Sequence, residues 1–147
     1  MATTRPFRSL RFRTPAPCTL THDRTGKPLA ESLMAANNPL QQGLGLIGRR
    51  LPPKTGLVFP LPRKRRFRLH MWFVPEAIDV VFCDHTSKGL VIKDVKRGFR
   101  PFKNYKARQE AELFIELPRG AAKGVRTGDT LSLPRKIFKQ QSRSRKV

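Results

Sequence analysis

RKRRFRLHMWFVPEAIDVVFCD, residues 63–84, joins the densest positive charge of the chain directly to its clearest core strands. From Arg66 onward the even positions Arg66, Arg68 and His70 are polar, while Phe67, Leu69, Met71 and Phe73 are apolar. That period of two belongs to a half-buried strand, with Trp72 the single exception. After Pro75 the run Ile78–Cys83 is almost continuously apolar, as a strand covered on both faces would be. The two strands together set Arg66 and Arg68 on the outer face of a sheet whose inner face carries the core.

Outward from this segment, the charge dominates. The chain has 147 residues, 31 Lys and Arg against 10 Asp and Glu, and a formal net charge of +21. Self-repulsion of that size opposes a compact state unless a polyanion neutralises it. Five of the six residues Arg63–Arg68 are basic, and residues 93–108 hold seven basic residues to one acid, with Phe99, Phe102 and Tyr105 among them. The ends are also basic: Arg5, Arg8, Arg11 and Arg13 precede the first acid, and six basic residues but no acid follow Asp129. Two cysteines, Cys18 and Cys83, are too few for a disulfide scaffold, and no apolar run is long enough to span a membrane. These features predict a soluble protein of the cytoplasm. An organellar matrix is the alternative, because the Arg-rich first twenty residues also have the composition of a transit segment.

Length and punctuation predict one domain with tails: a basic arm over 1–17, a globular domain over 18–133 and a basic tail over 134–147. Strands are expected at Leu10–Arg13, Cys18–Thr21, Gly56–Leu61, Leu90–Val95, Glu112–Leu117 and Thr130–Leu133, with a hairpin turn at HTSKG, residues 85–89. Leu29, Leu33, Leu40, Leu44 and Ile47 recur at roughly helical spacing, which predicts a short helix, a break, and a second helix capped by Asn38 with Pro39 at its first position and Gly48 at its end. The resulting expectation is an α+β domain: a small, strongly bent antiparallel sheet or open β-barrel with one or two short helices and extended basic termini.

Three segments in order, GLGLIGRRLPPKTGLVFPL, FRLHMWFVPEAIDVVFCD and AELFIELPRGAAKGVRTGDTLSL, resemble the family named domain of unknown function 192, over about residues 40–133. Gly43, Leu46, Gly48 and Arg49 fall on the family's helix-ending Gly-Leu-Met-Phe-Arg type motif, and residues 56–59 on its Gly-Met-Leu-Phe type strand. Met71 and Asp79 have the family's spacing, and residues 116–120 with Gly128 and Asp129 match its closing motifs. Trp72, Phe73 and Val74 replace the Lys-Asn-Thr common after the family's methionine, and Ala77 replaces its proline. The resemblance implies a fold and no settled activity.

Asp79 is the candidate for chemistry, a carboxylate inside an apolar strand. Around it a small enzyme or ligand-binding domain for an acidic substrate is the alternative reading, against a structural role at a bend. Cys18, His22, Cys83 and His85 are metal-ligand types, but their spacings are not those of a zinc finger, and no metal or other cofactor is expected. The leading expectation is a structural or accessory RNA-binding protein without catalysis, a component of an archaeal-type or organellar ribosome that contacts rRNA and neighbouring ribosomal proteins and takes no small-molecule substrate. Its expected phosphate contacts are Arg5, Arg8, Arg11, Arg13, Arg63, Lys64, Arg65, Arg66, Arg68, Lys96, Arg97, Arg100, Lys103, Lys106, Arg108, Arg135, Lys136, Lys139, Arg143, Arg145 and Lys146.

Overall fold

The computed structural model describes residues 16–35, 50–71, 75–87 and 89–134. Among these described residues nine strands follow in chain order: β1 (Ala16–His22), β2 (Pro28–Ala35), β3 (Thr55–Arg65), β4 (Arg68–His70), β5 (Ile78–Thr86), β6 (Gly89–Phe99), β7 (Asn104–Lys106), β8 (Ala111–Pro118) and β9 (Thr130–Ser132). Seven of them close into a barrel in the order β1-β2-β3-β8-β5-β6-β9, and β4 pairs with β7 in a separate two-stranded sheet.

This corrects the α+β expectation: the described residues are all-β, and the barrel is closed rather than open. Residues 29–35, expected to begin a helix, are strand β2, which pairs antiparallel with β1 and parallel with β3 through Ser32↔Thr55 to Ala35↔Val58. Ala, Glu, Leu and Met favour helix locally, but the segment buries Leu29, Ala30, Leu33 and Ala35 between two neighbouring strands. Burial outweighs propensities worth tenths of a kcal/mol per residue, at most about 0.7. The parallel pair also corrects the expected wholly antiparallel sheet. The second helix expected from Asn38 and the short strand at Leu10–Arg13 lie outside the described residues.

Closure comes from β9, three residues long, which pairs with β1 through Thr21↔Ser132 and His22↔Leu131 and with β6 through Leu90↔Leu131. The β5–β6 hairpin turns at Thr86↔Gly89, where φ of Gly89 is 146° and a Cβ would stand 2.3 Å from the Leu131 carbonyl oxygen. Only glycine lets β9 approach that closely.

Two apolar clusters divide the core. The first fills the barrel with Leu20, Leu33, Val58, Val81, Cys83, Ile92, Leu113, Ile115 and Leu131 among others. The second lies on the barrel's outside and joins Leu57, Phe59, Val80, Phe82 and Phe114 to Phe67, Met71 and Phe99. Strand β5 therefore carries buried side chains on both faces, which is why its sequence lacks alternation.

Candidate nucleic-acid interface

The β4–β7 sheet is held over the outer cluster by aromatic packing. The Phe67 ring, almost fully buried, meets Phe114 edge-on at 4.8 Å and Phe82 at 6.1 Å, and Phe59 stacks on Phe114 at 4.6 Å. Met71 is buried beyond the other end of β4, while Leu69 and Tyr105 pack inward between these anchors. With the inward positions fixed, strand alternation turns Arg68, His70, Asn104 and Lys106 outward. The register sets Arg68 opposite Lys106 and His70 opposite Asn104. These four residues, with Leu69 and Tyr105, line a groove of about 350 Å³, the size of a small-ligand cleft.

Four aspartates are instead tied to donors of the protein itself, while Asp23, Glu31, Glu76 and Glu110 are exposed. Asp79, 1% exposed, accepts the N–H groups of Gly98 at 2.9 Å, Gly120 at 3.0 Å and Ala122 at 2.9 Å. Ala122 and Val125 belong to the barrel-filling cluster, so Asp79 fastens the turn over 120–125 as a plug against the strands. Asp94 accepts from the N–H groups of Val95 and Arg108 and from the Tyr105 hydroxyl at 2.5 Å. Burial, and then this bond, push the Tyr105 hydroxyl up to about 12. Asp84 accepts from Lys64 at 2.6 Å and from the Glu112 N–H at 3.0 Å. Asp129 meets His22 at 2.7 Å, Arg24 at 3.2 Å and the Arg126 N–H at 2.9 Å. Burial alone would raise its carboxyl, but those donors outweigh it and hold the group at about 2.

The expected RNA contacts are thus sorted by their surroundings. Arg63, Lys64, Arg65, Arg66, Arg68, Arg97, Arg100, Lys103, Lys106 and Arg108 are exposed, and Lys96 is half-buried over the Tyr105 ring at 5.3 Å. Arg97 is a clamp on the plug, donating to the carbonyls of Ala122 at 3.1 Å and of Val125. Arg66 donates to the Ala107 carbonyl at 3.0 Å, and Arg65 covers the Phe67 ring at 5.2 Å. Arg68, Lys103 and Lys106 face outward on or beside the two-stranded sheet. Arg5, Arg8, Arg11, Arg13 and the basic residues from Arg135 to Lys146 lie outside the described residues. Of the three rings among the cations, Phe99 is core and Tyr105 half-buried, and Phe102 alone is exposed. His70 and Asn104 were not expected in the groove. Their signal was parity: each stands two positions from a cation on the same exposed face.

Both cysteines are buried, and burial raises their thiols, Cys18 to about 12. Among the described residues no three His, Cys, Asp or Glu side chains gather to hold a metal, and no helix is long and apolar enough to cross a membrane.

Glu116 differs from the other acids. It lies on β8 opposite Leu57 and Val80, and its Oε2 is sealed from solvent with no hydrogen-bond partner among the described residues. Burial pushes its carboxyl up to about 8, from 4.5, so the acid is mostly neutral at pH 7. The folded state then holds a proton that the unfolded state has released, and the stability tied to it is lost as pH rises from about 4.5 to about 8. Glu116→Gln is expected to flatten this part of the stability profile and to be the more stable protein at high pH. Urea midpoints from acid to alkaline pH check it, and identical slopes for the two proteins would refute it.

The profile of the family domain of unknown function 192, described as an uncharacterised ACR, matches residues 20–133. The chain belongs to this family. A UPF0127 protein of Pyrococcus furiosus is 32% identical over 116 residues, 76% of this chain and 95% of the relative. Another, from Pyrococcus horikoshii, is 30% identical over 93 residues, covering 62% of this chain and 76% of the relative. The fold is similar to that of a candidate transcription regulator from Sinorhizobium meliloti, with a TM-score of 0.67 at 24% identity over 79% of this chain and 91% of that one. It is also similar to a protein of unknown function from Novosphingobium aromaticivorans, with a TM-score of 0.66 at 18% identity over 90% and 99% of the two chains. At these identities the likeness concerns the fold alone.

Proposed function

We propose that this protein is an RNA-binding component or accessory of a ribosome, held on folded rRNA by the β4–β7 sheet and by its basic terminal segments, with neighbouring ribosomal proteins as further partners. The observation that carries this reading is the division of charge. Asp79, Asp84, Asp94 and Asp129 are turned onto donors of the protein itself and Glu116 is mostly neutral, and the exposed acids Asp23, Glu31, Glu76 and Glu110 are outnumbered by the nine exposed cations of residues 63–68 and 100–108 alone. Arg68 faces Lys106 directly across the ladder, an arrangement of like charges that destabilises a sheet and that a phosphate between them relieves. RNA offers such phosphates in series, and each one neutralised releases counterion.

Sedimentation of a native lysate through sucrose gradients at low and high salt tests the reading, with the protein followed by blotting. Co-migration with one ribosomal subunit is expected at low salt. Survival of a high-salt wash would identify an integral component, and loss on washing an accessory held through phosphates. Retention at the top of the low-salt gradient would overturn the ribosomal reading.

A further inference from the structure

Phe102 is the one large hydrophobic side chain exposed among the described residues, at 64% of its surface. Its φ is 63°, in the left-handed region where bulky side chains are disfavoured and glycine or asparagine is usual. The backbone is nevertheless fixed. The Phe102 N–H donates to the Met71 carbonyl at 2.8 Å, the Met71 N–H to the Lys103 carbonyl at 2.9 Å, and the Lys103 N–H to the Arg100 carbonyl at 3.3 Å. The first two bonds extend the ladder beyond His70↔Asn104 and the third closes the turn, and buried Met71 anchors the far side. An exposed ring is therefore mounted on a rigid support at the end of the basic sheet, between the exposed cations Arg100 and Lys103. Backbone strain and apolar exposure combined at one position are costs to the free protein, and such costs concentrate where a ligand is met.

We propose that Phe102 is a stacking platform for an unpaired RNA base, with Arg100 and Lys103 on the flanking phosphates. The protein then selects single-stranded or looped RNA over continuous duplex. This rests on the RNA-binding reading and narrows it. Bases inside a duplex already use both faces in stacking, whereas an unpaired base has a free face and gains from an aromatic ring whatever its identity. The cations do not discriminate between the two forms; the ring does.

The test measures affinity of the full chain for a short single-stranded RNA carrying 2-aminopurine and for a duplex RNA of equal length. Phe102→Gly is the informative variant, because it removes the ring and also relieves the positive φ, so its urea midpoint is expected to be no lower than that of the wild type. It is expected to lose roughly ten-fold in affinity for the single strand and to bind the duplex as before. Phe102→Trp is expected to retain single-strand affinity and the change in 2-aminopurine emission, which Phe102→Gly loses. Equal single-strand binding by wild type and Phe102→Gly, or an equal loss on both RNAs, would overturn the stacking role while leaving RNA binding in place. Failure of the wild type to bind either RNA would overturn both.

Discussion

Replacing Arg68, Lys103 and Lys106 together by alanine is expected to weaken binding to single-stranded RNA on the order of a hundred-fold at low salt. Each strand phosphate neutralised contributes about 0.7 to the slope of log affinity against log salt, so removing three contacts lowers that slope by about 2. The difference between variant and wild type should accordingly shrink as salt rises. Fold stability moves the other way: Arg68 and Lys106 are paired across the ladder, and deleting like charges at opposed positions removes a repulsion. The variant should therefore melt no lower than the wild type. Fluorescence anisotropy titrations at several salt concentrations check the first expectation and thermal melts the second. An unchanged salt slope would remove the two-stranded sheet from the interface.

Asp79→Ala is expected to cost roughly 4 kcal/mol of stability, since three N–H groups lose their acceptor and buried unsatisfied donors cost about 1–3 kcal/mol each. That is a large part of the 5–15 kcal/mol typical of a domain, so the variant should be partly unfolded at 37 °C. Asp79→Asn keeps one acceptor oxygen but turns an amide donor towards other donors, and should fall between the two. Urea unfolding followed by circular dichroism measures all three proteins. A loss below about 1 kcal/mol for Asp79→Ala would mean that the plug is held without its carboxylate. Both oxygens of Asp79 serve backbone donors, those of Gly98, Gly120 and Ala122.

The second half of the barrel was largely legible in the sequence. Ile78–Cys83 lies in β5, Leu90–Val95 in β6 and Glu112–Leu117 in β8, because dense apolar runs between turn residues leave little choice of structure. The polar parity of Arg68 and His70 also gave the outer face of β4. Strand β2 was misread because Leu29 and Leu33 are four apart, and the alanines buried between and after them carry no strong periodic signal. What makes it a strand is pairing with β3, whose partner residues are more than twenty positions away. Closure was hidden for the same reason, since β1 and β9 meet from opposite ends of the barrel sequence. Asp79 was recognisable as a buried carboxylate, but its three donors come from the far end of strand β6 and from the later turn over 120–125. Phe99, Phe102 and Tyr105 looked equivalent at a spacing of three, yet only the left-handed turn at Phe102 puts its ring outside.

The three-residue β9 closes the barrel from the C-terminal end of the described chain, with β1 on one side and β6 on the other. During synthesis the β1–β2 hairpin must therefore wait for almost the whole domain to emerge before its outer edge is covered. Until then, β1 and β6 both present unpaired backbone groups that any extended peptide can pair with. A nascent or truncated chain ending before Thr130 is thus two-edged and prone to exchange strands with a second copy, whereas the complete chain has a short latch that hides both edges at once. Coverage of both edges thus waits on the last of the described strands.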